Sequence, residues 1–145
     1  MPENTRMLEL TALFKNLVRK ISHEWNKRME DGMSISQFRT LYILNSRGPQ
    51  KTAELAETLG VTSGAITGLA DKLIAKGMLE RERSEEDRRV VYLRMTDKGK
   101  ETLDRLLDTQ REAIALFFKP LAEEDIEHLR RIFMLMLNGA DQTDD

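Results

Sequence analysis

The chain has 145 residues, 33% charged and 40% hydrophobic, which suits one domain, or one domain plus an oligomerisation extension, and a soluble, helix-rich fold. It has no cysteine, which excludes disulfides, thiolate nucleophiles and thiol redox switches, and it has no run of about 18 apolar residues to form a membrane span. The net charge of −2 is uneven: residues 37–98 hold eleven basic and nine acidic residues (+2), residues 99–145 six and eleven (−5), and neither excess names a partner alone.

From Met7 to Met29, apolar residues at Leu10, Phe14, Leu17, Val18, Ile21, Trp25 and Met29 recur at intervals of three and four. They predict one long helix, ended by Asp31-Gly32. The charges of both signs before Glu9 leave no apolar secretory core, so a cytoplasmic location is expected. A second helix, capped by Ser34 or Ser36, turns Phe38, Leu41, Tyr42 and Leu44 inward. It stops at Arg47-Gly48-Pro49, because proline disfavours helical geometry in the residue before it. A short third helix covers Thr52–Leu59 with Thr52 as its cap, and after Gly60 a fourth runs from Ser63 to about Lys76, closed by a left-handed Gly77.

There the periodicity changes. Met78–Arg83 and Val90–Met95 read as two strands, joined by the polar tip Ser84-Glu85-Glu86-Asp87-Arg88-Arg89, which is too long for a two-residue turn. Thr96 caps a further long helix carrying Leu103, Leu106, Leu107, Ile114, Phe117 and Phe118. Pro120 breaks that helix, and a last one carries Ile126, Leu129, Ile132, Phe133 and Met136. The acidic tail from Gly139 to Asp145 is expected to fray.

Counted from Thr52, Ala56 is fifth, Gly60 ninth, Ile66 fifteenth and Leu69 eighteenth. Two helices crossing steeply need a small residue where they touch and a glycine where the chain reverses, with Val61 filling the turn. An ordinary helical hairpin with a glycine turn would match some of these positions too. The outer face of the fourth helix favours the helix-turn-helix. With Ile66, Leu69, Ala70 and Leu73 inward, it presents Thr62, Ser63, Gly64, Ala65, Thr67, Gly68 and Lys72, all small, hydroxylic or basic. A helix entering a major groove needs such a surface, whereas a solvated face is usually rich in Glu, Lys and Gln and avoids glycine.

A hairpin directly after a helix-turn-helix reads as a wing. Arg89 is assigned to a minor groove, Arg88 to phosphate or flanking groove, and Asp87 to holding Arg89 extended, with Glu85 and Glu86 turned away from DNA. A solvated charged turn is the plainer alternative for any isolated hairpin. The segment Ile132-Phe133-Met134-Leu135-Met136-Leu137 is apolar on every side of its helix, so a second copy is expected to cover it. A two-fold dimer would set two reading helices about 34 Å apart on double-stranded DNA. The expected fold is therefore mainly α with a small β-hairpin wing. Residues 34–99 form a winged helix-turn-helix, and residues 1–33 and 100–145 supply dimerisation helices.

Several stretches, in order, resemble the MarR (multiple antibiotic resistance regulator) family: Ser36-Gln37-Phe38-Arg39-Thr40-Leu41, Ala53-Glu54-Leu55-Ala56, Leu59-Gly60-Val61, Ile66-Thr67-Gly68-Leu69, Asp71-Lys72-Leu73, Lys76-Gly77-Met78-Leu79-Glu80-Arg81, Asp87-Arg88-Arg89 and Met95-Thr96-Asp97-Lys98-Gly99. The likeness runs from about Leu8 to Leu137. It implies a triangular homodimer, a recognition helix in the major groove, wings in flanking minor grooves, and repression by site occlusion. It further implies relief by small aromatic or phenolic ligands bound between the dimerisation helices and the winged domain. Here that junction would draw on Trp25, Tyr42, Leu106 and Gln110, each of which also fits a core or bridging role. Two departures stand out: Gly68 replaces the arginine or lysine of many relatives, and the cysteine of peroxide-sensing relatives is missing.

Catalysis is not expected. The two histidines, His23 and His128, lie on separate outer helices, with no Ser/His/Asp set and no phosphate-cradling glycine loop, so neither a cofactor nor a metal is assigned. The competing function is a winged-helix protein-interaction module without DNA binding, favoured by Gly68 and by Glu85-Glu86.

Overall fold

The structure is a computed structural model that describes residues 2–30 and 32–141. Its elements, in order, are α1 (Pro2–Arg28), α2 (Ile35–Arg47), β1 (Gln50–Lys51), α3 (Thr52–Leu59), α4 (Ser63–Ala75), β2 (Leu79–Arg83), β3 (Val91–Met95), α5 (Asp97–Phe118) and α6 (Glu123–Asp141). The three strands form one antiparallel sheet in the order β1-β3-β2, which gives a mainly helical winged helix-turn-helix.

Local chemistry sets the boundaries. Ser34, not Ser36, caps α2: its Oγ accepts from the Gln37 N–H at 3.1 Å, and the Gln37 side chain accepts from the Ser34 N–H at 3.2 Å, a reciprocal capping box. Thr96 caps α5 through the Gly99 N–H, as expected. Thr52 does not cap α3. It is the first helical residue, and the capping position falls on Lys51, held extended in β1 and offering no side-chain bond. That two-residue strand was not expected. It is too short to show a period of two, and only its pairing (Gln50 with Leu93, Lys51 with Tyr92) defines it. Gly60 ends α3 at φ +68°, a conformation that a Cβ would strain, and the next amide returns to Ala56 O at 3.0 Å. At the other end of the chain, α6 runs through Gly139 to Asp141 rather than fraying there. Asp31, expected to end α1, and residues 142–145 lie outside the described residues.

One core joins the winged elements to the first turns of α5. Leu41, Leu55, Ile66, Leu73, Leu79, Leu93, Leu103 and Leu106 are fully buried in it, and each such side chain contributes roughly 1.5–3 kcal/mol of transfer free energy. The continuous α5 crosses the boundary expected at residue 99, so its first turns complete the core of the winged part. Two side chains expected inside are not. Tyr42 is 49% exposed, since it lies about 100° around α2 from Leu41, and its ring only leans on Phe38, with centroids 6.1 Å apart. Val61 is 47% exposed because backbone hydrogen bonds, not its side chain, close the turn.

The long helices behave differently. On α1 only the C-terminal part docks: Ile21 is half-buried, and Trp25 and Met29 pack on the core, with Trp25 edge-on to Phe38 at 4.8 Å. Met7, Leu8, Leu10, Leu13, Phe14, Leu17 and Val18 are exposed. No described residue of α6 is buried, and Ile132 through Leu137 are 39–66% exposed.

Candidate nucleic-acid interface

Helix α4 presents a face set by its register. Ile66, Ala70 and Leu73 are buried, while Thr62, Ser63, Gly64, Ala65, Thr67, Gly68 and Lys72 are all exposed. Two of the three hydroxyls on that face already have local partners. Thr62 caps the helix, its Oγ1 accepting from the Ala65 N–H at 3.1 Å, which leaves its hydrogen to donate. Thr67 Oγ1 donates to Ser63 O at 3.0 Å, which leaves its lone pairs to accept. One hydroxyl is therefore poised as donor and another as acceptor on the same surface, beside the positive end of the helix.

The glycines of α4 are informative because the fold does not need them. A Cβ built at Gly68 would meet nothing within 4 Å, and one at Gly64 only Thr62 Oγ1 at 4.0 Å; neither has positive φ. Glycine destabilises a helix interior by about 1 kcal/mol relative to alanine, and neither internal packing nor backbone conformation calls for one at Gly68 or Gly64.

The wing is braced from within. Ser84 N–H donates to Val90 O and Val90 N–H to Asp87 O, each at 2.9 Å, and Arg83 Nη1 donates to Arg88 O at 2.9 Å. Asp87 grips Arg89 three times: from Nε at 3.0 Å, from Nη2 at 3.1 Å and from the backbone N–H at 3.1 Å. Even so, the Arg89 side chain is 91% exposed. These hydrogen bonds hold the Asp87 carboxyl below its ordinary value, the guanidinium bond first and the backbone bond second, and they raise Arg89 in turn. Arg88 is exposed beside it. Glu85 lines a groove with Pro49 and Tyr92 across the hairpin, and Glu86 is exposed.

Sequence reasoning missed two features near this surface. Asp71 of α4 bonds Arg81 of β2 at 2.5 Å, tying α4 to the hairpin; the ten-residue separation with opposite charge was the available signal. Ser36 and Arg39 of α2 line a hollow of about 170 Å³ with Leu59, Val61, Ala65, Ile66 and Leu69, a juxtaposition that depends on how α2 crosses α4.

The residues expected at an effector junction separate. Leu106 is fully buried in the core. Trp25 and Tyr42 each meet the Phe38 ring, and Gln110 is half-buried on α5. The Trp25 indole N–H is buried with no hydrogen-bond partner among the described residues. His23 is exposed on α1, His128 lies 3.6 Å from Glu124 on α6, and no group of three potential metal-ligating side chains forms among the described residues.

Comparison with known proteins gives a consistent result. The model of the MarR family matches residues 33–91. The uncharacterized HTH-type transcriptional regulator YkoM of Bacillus subtilis is 34% identical over 128 residues, 88% of this chain and 83% of that protein. The HTH-type transcriptional repressor MdtR of the same organism is 32% identical over 135 residues, 92% and 84% of the respective chains. A solved MarR family protein from Bacillus stearothermophilus superposes with a TM-score of 0.83 over 97% of this chain and 99% of that one; at 20% identity it shows the shared fold.

Proposed function

The chain belongs to the MarR family and is a DNA-binding transcriptional regulator rather than an enzyme, and from that premise we propose that it is a homodimeric repressor of a pseudo-palindromic operator. The exposed face of α4, with two glycines that the fold does not require, carries this reading. Thr62, Ser63, Gly64, Ala65, Thr67 and Gly68 approach base edges and backbone in the major groove, and Lys72 takes a phosphate. Arg89 enters the flanking minor groove with Asp87 holding its guanidinium extended, and Arg88 takes a phosphate beside it. Repression, the activity named for one of the relatives, would follow from occluding the operator.

The dimer rests on residues 1–33 and 100–145, where the exposed half of α1 and the whole of α6 leave apolar surface that a second copy would cover. The effector we propose is a small phenolic or aromatic molecule at the junction of α1 with α2 and α5, with the unpartnered Trp25 N–H as donor. The action is cytoplasmic; among the described residues no helix is long and apolar enough to cross a membrane.

Selection of bound duplexes from a random pool tests the core of this reading. A two-fold-symmetric enriched site, bound with affinity that falls by about 0.9 log units per log unit of salt for each phosphate neutralised, supports it. Flat, weak binding to every duplex would instead mark a protein-interaction module. For the effector, Trp25 is the single tryptophan, so saturable quenching of its fluorescence by a phenolic acid, with release of DNA, is the expected outcome.

A further inference from the structure

We propose that Lys76 is a positioning residue that sets the tilt of the reading helix relative to α1, and so fixes the operator spacing that a dimer accepts. The inference rests on the homodimeric DNA-binding reading above and deepens it.

Helix α4 is anchored along its length by its contacts with α3, β2 and α2. At its C-terminal end the attachment is of another kind. The Lys76 ammonium, on the residue that caps α4, donates to the Gly32 carbonyl, sits 3.4 Å from Gln37 Oε1 and lies 3.6 Å from the Met33 sulfur. Those three acceptors belong to the corner between α1 and α2. Gln37 is itself buried and already engaged with Ser34 in the capping box, so its amide is held in place and Lys76 binds a fixed oxygen. The same corner is pinned to α5, because Arg105 bonds Glu30 at 2.9 Å. Contacts from α1, α2, α4 and α5 therefore converge within a few residues of one turn.

An open groove of about 530 Å³ separates the corner from α4, lined by Gly32, Ser34, Gln37, Leu69, Lys72 and Lys76 among others. Where side chains interdigitate, packing fixes a distance; across a groove, hydrogen bonds must do it. The lysine spans the opening with a four-carbon stem whose charge also suits the negative end of α4. The far end of α1 carries the apolar surface assigned to the partner subunit. A rotation of α1 in the dimer would therefore reach the reading helix through Gly32 and Lys76, and loss of that tie would free α4 to pivot about its other contacts.

The test uses the full-length protein and a set of duplexes carrying the selected operator with its central spacer lengthened or shortened by one or two base pairs. One added base pair rotates the half-sites by roughly 35° and separates them by about 3.4 Å. The wild type should lose about 30-fold or more in affinity at one base pair from its optimum, the scale of a disrupted base contact. Lys76→Met, which keeps the apolar stem and removes the donor, should flatten that penalty to a few-fold while weakening the optimal operator less than about tenfold; Lys76→Arg should restore discrimination. Melting curves confirm that each variant is folded at the assay temperature, and Lys76→Leu, which also lacks a donor, replaces Lys76→Met if the latter is not. A variant that loses affinity equally at every spacing, or keeps the wild-type profile, overturns the positioning role. So does a wild type that binds but is indifferent to spacing. A wild type that binds no duplex overturns the DNA reading, and this inference with it.

Discussion

The winged part of the molecule and its projecting helices carry similar amounts of apolar sequence but use it oppositely. In the winged part and the first turns of α5, leucines and an isoleucine from six elements close over one another, and the largest are fully buried. On α6, the run Ile132–Leu137 is just as apolar and no described residue is buried. A chain that bears both has closed one apolar surface internally and left the other exposed, where the proposed second copy would cover it. The same chemical insult should therefore have different consequences in the two regions, and that difference can be measured.

The largest effect should come from Ile66→Asp. Ile66 is almost wholly buried between α4 and the core, and a carboxylate there has no partner, which exceeds about 4 kcal/mol and defeats a domain of ordinary stability. Circular dichroism should show loss of the cooperative melt. A variant that melted like the wild type would mean the register of α4 is wrong. The paired substitution, Leu135→Glu, places the same charge on α6, where the side chain is exposed in one chain. It should leave the winged part folded and weaken self-association by about 2–4 kcal/mol, as for a central interface residue. Sedimentation across a concentration series reads this out directly, and a wild type that sediments as a monomer throughout would break the comparison.

How legible each region was in the sequence follows the same division. Where neighbours along the chain decide the structure, the sequence was sufficient: α3 runs over Thr52–Leu59 as read, and α4 starts at Ser63 with the expected residues outside. Where the decision is made by residues far away, it was not. The strand at Gln50–Lys51 exists through Leu93 and Tyr92, and it displaced Thr52 from the capping position. Tyr42 fits an inward stripe on α2, yet it is half-exposed and only leans on Phe38, whose ring also meets Trp25 arriving from α1. The Asp87–Arg89 clamp was readable, being two residues apart, whereas the Asp71–Arg81 strut and the Lys76 tie needed the fold to bring their members together.

A smaller effect should come from the wing. Arg89→Ala should weaken operator binding by about 1–3 kcal/mol at fixed salt with no change in melting temperature, since the side chain is almost fully exposed. Asp87→Asn should do part of the same, by loosening the guanidinium rather than removing it. The clamp also has a defined pH range. The Asp87 carboxyl is held below its ordinary value of 3.8, first by the Arg89 side chain. Its folded-state value is depressed, so the interaction is complete above the ordinary value and fades only as pH falls through the lowered one. Operator affinity should therefore show no contribution from Asp87 titration above about pH 5. A wing-dependent change in affinity above that pH, abolished by Asp87→Asn, would refute the assignment.

The smallest effect separates what the fold wants at α4 from what its surface is for. Gly68 is helical, and a methyl group there would meet nothing within 4 Å. Gly68→Ala should accordingly raise the stability of the winged part by about 0.5–1 kcal/mol, through the smaller entropy of the unfolded chain. If Gly68 were an indifferent solvated position, operator affinity would be unchanged or slightly improved. If the bare backbone is there so that bases and phosphates can approach, affinity should fall while stability rises. No general loss of folding can produce that opposite movement of two quantities in one variant. Calorimetry on the free protein and titration against the selected operator supply the two numbers, and a rise in both would remove the close-approach argument on which the role of α4 rests.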